Sequence, residues 1–357
     1  MDDQSSTSRR RFLAWLGASA AAIAGAGWIG CRARGAGRSS AAIPAPPAPG
    51  AAHLSLPGAV VKATYAQAID NAGRVDAAAV SAMLDSVMTR LTGKPDRAAA
   101  WAVLFSPDDE VAIKVNCLPA PPLATHPEVV TAIVSGLRAA GVPDSNIIIY
   151  DRLTRELERA GFTPNTRGGV RCFGSDASGY DPEPTEAGIV GSCLTRIVSG
   201  MCTAIINVPV VKDHDVAGVS IALKNHFGSI NNPNKQHENR CSPQVADVNL
   251  LPPIRAKQRL VIADALIVTY DGGPSYKPAA STHLKTLLAA TDPVALDAVG
   301  YDIIEGLRRR AGLPSLAAED RAPKYLAVAA DADHKLGIAD LSRIRRLDCD
   351  LSRGDRQ

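Results

Sequence analysis

Aromatic residues are scarce in this chain, with five Phe, three Trp and seven Tyr among 357 residues, and its basic residues form no long run. Both shortages argue against nucleic-acid recognition, which uses basic stripes and stacking platforms. No two cysteines stand in a C-x-x-C pair, so the spacing indicates neither a ferredoxin-type iron–sulfur cluster nor a zinc ribbon. Also missing are a G-x-S-x-G elbow, a Walker A loop, an H-E-x-x-H helix and a G-x-G-x-x-G turn after the first strand of the main body. Beyond the N-terminal segment, no apolar stretch reaches the ~20 residues needed to span a bilayer. The common signatures of hydrolases, NTPases and dinucleotide enzymes are therefore absent, and function must be sought in scattered residues.

What is present begins at the N-terminus. Ser8-Arg9-Arg10-Arg11-Phe12-Leu13-Ala14 precedes an apolar run over residues 15–29. The run is short for a membrane span and reads as the h-region of a signal peptide. The paired arginines with Phe-Leu after them are the mark of twin-arginine export, so the translocase of that route is an expected partner and the expected location is periplasmic or otherwise extracytoplasmic. Gly30-Cys31 resembles a lipobox, with Trp28 in place of the usual Leu. Two outcomes stay open: lipidation of Cys31, which would be the chain's one membrane attachment, or cleavage within residues 36–42. On this reading residues 1–31 are the signal, residues 32–57, rich in Ala, Pro and Gly, are a flexible tether, and residues 58–357 form a single domain of about 300 residues. The chain carries a net charge of +3. Six further cysteines, Cys117, Cys172, Cys193, Cys202, Cys241 and Cys349, are compatible with disulfides or with buried thiols.

From residue 110 the pattern alternates. Short apolar runs at 111–115, 146–150, 202–208, 259–268 and 283–289 suit buried strands, and residues 127–140, 153–160, 219–227 and 293–310 suit helices. Pro127 and Pro293 sit at first-turn positions, with Asp292 placed to cap the second of these helices. The expected class is α/β, with a mostly parallel or mixed sheet, helices on both faces and long irregular insertions near 167–191 and 230–253.

Ligands of open α/β sheets bind beyond the carboxyl ends of the strands, and here those ends carry polar groups. Lys114 and Asn116 follow the first, Asp151 the second, Lys212, Asp213 and His214 the third, and Lys224, Asn225 and His226 close the next helix. Asp271, Gly272 and Gly273 follow the long strand near residue 260. A lysine within an apolar strand is costly to bury unless paired, so Lys114 either faces a ligand or snorkels from an edge. Lys212 and His214 either point together at a ligand or sit on a solvated turn. Lys224 to His226 either serve a site or answer a helix dipole. His126 is either a helix cap or a ligand. His237 is either a metal ligand or a surface residue, and Asp297 an exposed or paired helix residue.

The motifs Val111-Ala112-Ile113-Lys114-Val115-Asn116, Thr125-His126-Pro127-Glu128, Asn207-Val208-Pro209-Val210-Val211-Lys212-Asp213-His214, Ser220-Ile221-Ala222-Leu223-Lys224-Asn225-His226-Phe227-Gly228, Asp271-Gly272-Gly273-Pro274 and Asp292-Pro293-Val294-Ala295-Leu296-Asp297 follow one another across about residues 105–305. Together they resemble domain of unknown function 362, and the resemblance implies a fold and little chemistry. Two functions are expected in competition. One is an exported metal- or cofactor-dependent enzyme, redox or related, acting on an anionic small molecule, with His214, His226 and Lys212 as catalytic groups. Lys114, Asn116, Lys224, Asn225, Asp271, Gly272 and Gly273 would hold the ligand, and a divalent metal on His126, His214 and His226 is its candidate cofactor. The other is an exported protein that binds such an anion without transforming it.

Overall fold

Four of the strands expected as apolar runs are buried on both sides almost throughout, and this two-sided burial sets the architecture. A computed structural model describes residues 54–351; the paired arginines, Cys31 and most of the tether lie outside the described residues. Twelve strands are present among the described residues: β1 (Ala59–Thr64), β2 (Val111–Lys114), β3 (Ile147–Tyr150), β4 (Arg171–Cys172), β5 (Thr185–Ala187), β6 (Val190–Ser192), β7 (Ala204–Asn207), β8 (Val210–His214), β9 (Gly218–Ser220), β10 (Gln258–Thr269), β11 (Ser281–Ala290) and β12 (Arg345–Asp350). Ten of them form one sheet in the order β12-β1-β11-β10-β7-β2-β3-β4, with β8 paired to β10 and to β9, while β5 and β6 form a separate hairpin. The β10-β7-β2-β3-β4 half is parallel; β11 runs antiparallel to both β10 and β1.

Side chains along a strand alternate between faces, and the core divides accordingly. Val111 and Ile113 of β2 and Ile147 and Ile149 of β3 join one apolar cluster with the helices Ala77–Thr92 and Pro127–Ala139. Ala112, Ile148 and Tyr150 join another with the helices Gln244–Leu250 and Pro293–Arg310. Each fully buried aliphatic side chain is worth about 1.5–3 kcal/mol over exposure, enough for burial to outweigh weak local preferences. The fold is thus α/β with a mixed sheet covered on both faces. No helix among the described residues is long and apolar enough to cross a membrane, and the six cysteines from Cys117 to Cys349 are all free thiols.

Three local expectations are corrected. Residues 219–227 are not one helix: β9 ends at Ser220, Ile221 takes a non-helical φ of −136°, and the helix Ala222–Asn225 continues into a 3-10 turn over His226–Ser229. The cause is tertiary. Val219 is drawn into an antiparallel pairing with Asp213 of β8, and the Asp297 carboxylate, buried in the Pro293–Arg310 helix, accepts hydrogen bonds from Ala222 N at 2.7 Å and Leu223 N at 3.2 Å, fixing where the new helix starts. Asp297 is therefore buried and, among the described residues, without an ion-pair partner; it caps a different helix. Likewise Lys212 and His214 do not follow a strand but lie on one. After Pro209 the chain resumes pairing with β10 as β8, and Asp264 N donates to Pro209 O at 2.8 Å across the switch. The irregular stretches are also more ordered than expected, since 167–191 contains β4, β5 and the start of β6, and 230–253 contains the Gln244–Leu250 helix.

Candidate functional site

The carboxyl ends of β2, β3 and β8 and the short Ala222–Asn225 helix surround a cavity of about 500 Å3, within the range of about 300–1,000 Å3 common for small-molecule sites. Lys114, Asn116, Asp151, Lys212, His214, Lys224, Asn225 and His237 all line it. Lys212 and His214 are two apart on β8, so strand geometry turns both side chains to the same side.

A buried hydrogen-bond network holds these groups. Lys114 Nζ donates to Asp151 Oδ1 at 2.7 Å, to Val115 O at 2.6 Å and to Asn225 Oδ1 at 3.1 Å. The remaining capacity of Asp151 is taken by backbone: Cys117 N donates to Oδ2 at 2.6 Å and Arg152 N to Oδ1 at 2.8 Å. Asn225 Oδ1 also accepts from Asn116 Nδ2 at 2.9 Å, and Asn116 Oδ1 accepts from Lys212 Nζ at 2.6 Å. Asn225 Nδ2 in turn donates to Asn207 Oδ1 at 2.8 Å. Gly228 packs directly against this network: a Cβ there would stand 2.8 Å from Lys114 Nζ and 2.9 Å from Asp151 Oδ1.

The histidines of the cavity are held as neutral rings. His237 Nδ1 donates to Pro233 O at 2.9 Å, leaving Nε2 to accept from Lys224 Nζ at 3.0 Å. Val216 N and Ala217 N donate to His214 Nδ1 at 3.2 and 3.3 Å, which assigns the ring proton to Nε2. Burial, reinforced by Lys224, His237 and Lys212, pushes His214 down to about 2. Asp215 Oδ1 lies 3.1 Å from the same Nδ1, but a neutral ring makes no ion pair with it. The two rings stack with centroids 5.7 Å apart, and Lys224 Nζ sits 4.2 Å from the centroid of Phe227.

The lysines differ in their company. Lys114 has Asp151. Lys212 and Lys224 have no carboxylate at ion-pair distance among the described residues, and Lys212 is only 2% exposed. Burial first, then the Lys224 ammonium, pushes Lys212 down to about 7; burial pushes Lys224 down to about 8. Of the other charged groups at the cavity, Arg152 pairs with Glu156, and Asp215 is largely exposed. Glu156 Oε2 is buried and has no hydrogen-bond partner among the described residues.

The structure thus brings together Lys114, Asn116, Lys212, His214, Lys224 and Asn225 from the sequence expectation, and leaves others out. His226 is fully buried behind the cavity lining, its Nε2 2.6 Å from Gln258 Oε1 and its Nδ1 3.3 Å from Ser229 Oγ. Burial lowers it to about 4, partly offset by Gln258. His126 precedes the Pro127–Ala139 helix without capping it by its side chain, and its Nδ1 lies 2.8 Å from Asp264 Oδ2. Burial opposes its charge, but the Asp264 carboxylate prevails and raises its pKa. His126, His214 and His226 therefore occupy three separate environments, and no group of three His, Cys, Asp or Glu among the described residues is arranged to hold a metal. Asp271 Oδ1 accepts from Arg308 Nη1 at 2.6 Å, and Gly273 N donates to Asp213 Oδ2 at 2.8 Å; of that turn only Pro274 lines the cavity. Gly273 accordingly braces the end of β8 and Asp271 is tied to Arg308, and neither they nor Gly272 are among the residues that line the cavity. Sequence reasoning passed over Arg152, Glu156 and Phe227. Their signal was no more than position, the first two just after β3 and Phe227 after the Lys224–His226 triplet.

A family profile described as a domain of unknown function, DUF362, matches residues 111–302. No curated protein matches the chain.

Proposed function

The chain belongs to the DUF362 family, and on that premise, together with its lysine-lined cavity, we propose that it is an exported enzyme that binds a small anionic molecule at the ends of β2, β3 and β8 and acts on it. One observation carries this reading: three buried lysines share the cavity, the Asp151 carboxylate is already taken by Lys114, Glu156 pairs with Arg152, and no carboxylate among the described residues stands at ion-pair distance from Lys212 or Lys224. Buried ammonium groups without counter-charge cost several kcal/mol each, and an anionic ligand would offset that cost. Enzymatic action rather than capture alone is favoured because Lys212 and Lys224 are brought near neutrality, about 7 and about 8, where an amine can both take and give a proton. The histidines expected to hold a divalent metal are apart, so the reading gives the acid–base work to the lysines.

Thermal-shift and calorimetric screening against small carboxylates, phosphates, amines and neutral sugars tests it. Stabilisation by members of the anionic groups, and by none of the others, is the expected result. Equal response to all four groups, or none to the anions, would sink the reading. Export through the twin-arginine route is supported by the motif from Ser8 to Ala14. Changing Arg9→Lys and Arg10→Lys together is expected to shift the protein from the periplasmic to the cytoplasmic fraction of the expressing cells; unchanged fractionation would remove this part.

A further inference from the structure

Among the three lysines of the cavity, Lys212 stands apart. Lys114 donates to a carboxylate, and Lys224 is shared between the His237 ring nitrogen and the Phe227 face. Lys212 has one hydrogen-bond partner among the described residues, the neutral amide oxygen Asn116 Oδ1. It is enclosed, it lines the cavity, and its neighbours Lys224 and Lys114 repel a proton on it. An amine so placed has a lone pair available to a bound molecule, the condition for a lysine nucleophile.

We propose that Lys212 forms an imine with the carbonyl group of a small oxo acid, whose carboxylate is held by the neighbouring Lys224. This deepens the anion-binding reading and rests on it. The Lys212 Nζ lone pair attacks the carbonyl carbon, a C–N bond forms, and the carbonyl oxygen takes up the proton released by the nitrogen. The Lys224 ammonium then protonates the resulting hydroxyl, which leaves as water, and the C=N bond forms as an iminium. Amine, carbonyl and one proton become iminium and water, with no oxidant or reductant needed. Two features of the cavity suit these steps. The iminium N–H can keep the hydrogen bond to Asn116 Oδ1 that the amine makes now, and Asn116 is itself pinned through its Nδ2 to Asn225. His214, with its ring proton on Nε2, can donate to the carbonyl oxygen as negative charge develops there.

The test uses the purified chain with glyoxylate, the smallest anionic aldehyde, and cyanoborohydride, followed by peptide mass spectrometry, with glycolate as the competitor that has the carboxylate but no aldehyde. One carboxymethyl group at Lys212, gained many-fold faster than at other lysines and suppressed by glycolate, is the expected result. The rate should rise with pH through about 7 as the amine sheds its proton. If glycolate binds by calorimetry while Lys212 stays unmodified or reacts no faster than surface lysines, the imine is overturned and anion binding stands. Selective reaction at Lys212 without glycolate binding or protection would keep the nucleophile and overturn the anion site. Neither binding nor modification overturns both.

Discussion

Asp151→Ala is expected to lower the unfolding free energy by about 3–5 kcal/mol, the usual cost of stranding one member of a buried ion pair. The side chains of Lys114 and Asp151 are 1% and 5% exposed, so water cannot readily replace the lost partner. The substitution also strands the N–H of Cys117 and the N–H of Arg152, both of which donate to the missing carboxylate. Urea denaturation at neutral pH reads the loss directly. Lys114→Met in the same background should recover part of it, because the uncompensated ammonium then disappears with its partner. A loss below about 1 kcal/mol in Asp151→Ala, the range of exposed pairs, would show that the pair does not anchor the cavity floor. Since Gly228 packs against both members of the pair, the chain around the 3-10 turn is expected to loosen with it.

Lys224→Gln is expected to weaken binding of whichever inert anion the screen selects by about 1.5–3 kcal/mol, the worth of one charged hydrogen bond. That is roughly ten- to 150-fold in affinity. The pH dependence supplies an independent check, and its sign follows from the lysines. Lys212 and Lys224 titrate near 7 and 8 in the folded chain, and only their protonated forms carry the charge that attracts an anion. Affinity should therefore rise as pH falls from about 9 to about 6, by up to about tenfold per pH unit for each coupled proton. Stability in the absence of ligand should move the other way. Both lysines bind protons more tightly when unfolded, near the ordinary value of about 10.4, so the unfolded chain holds more protons between pH 7 and 10.4 and stability rises with pH across that window. Isothermal calorimetry and urea melts over the same pH series should thus give opposite slopes. Parallel slopes, or an affinity unchanged in Lys224→Gln, would show that the lysines are not the anion site.

The legible part of the site was the part written in short-range pattern. Lys114 and Asn116 were visible because a lysine interrupts the end of an apolar strand, and Lys224 and Asn225 because they close an apolar stretch before Gly228. Sequence spacing grouped His126 and His226 with His214, which does line the cavity, but spacing says nothing of what a ring nitrogen will meet. His226 adjoins Asn225 in sequence, yet it turns to Gln258, thirty-two residues on, and is enclosed there. Asp271, Gly272 and Gly273 were expected to hold the ligand, whereas Arg308 and Asp213 claim polar groups of that turn. Glu156 shows the reverse case: an ordinary-looking helix residue becomes a buried carboxylate at the cavity because Arg152, one turn earlier, goes in with it.

By itself the sequence determined the α/β class, the strands near 111–115, 146–150 and 259–268, the helices opened by Pro127 and Pro293, and the family, because alternation of apolar runs with capped helical segments is local chemistry that survives any particular packing. The Pro293–Arg310 helix, opened by Asp292 and Pro293, has the bounds its residues announce. Only the tertiary structure decided which strand ends meet. It split the run after residue 204 into β7 and β8 by offering β10 as a partner to both. It started the Ala222–Asn225 helix with a carboxylate seventy-five residues away. It also gave Lys114 a counter-ion and Lys212 none among the described residues, since a buried charge depends on whatever the fold places within a few ångströms, and nothing in the order of residues along the chain fixes that.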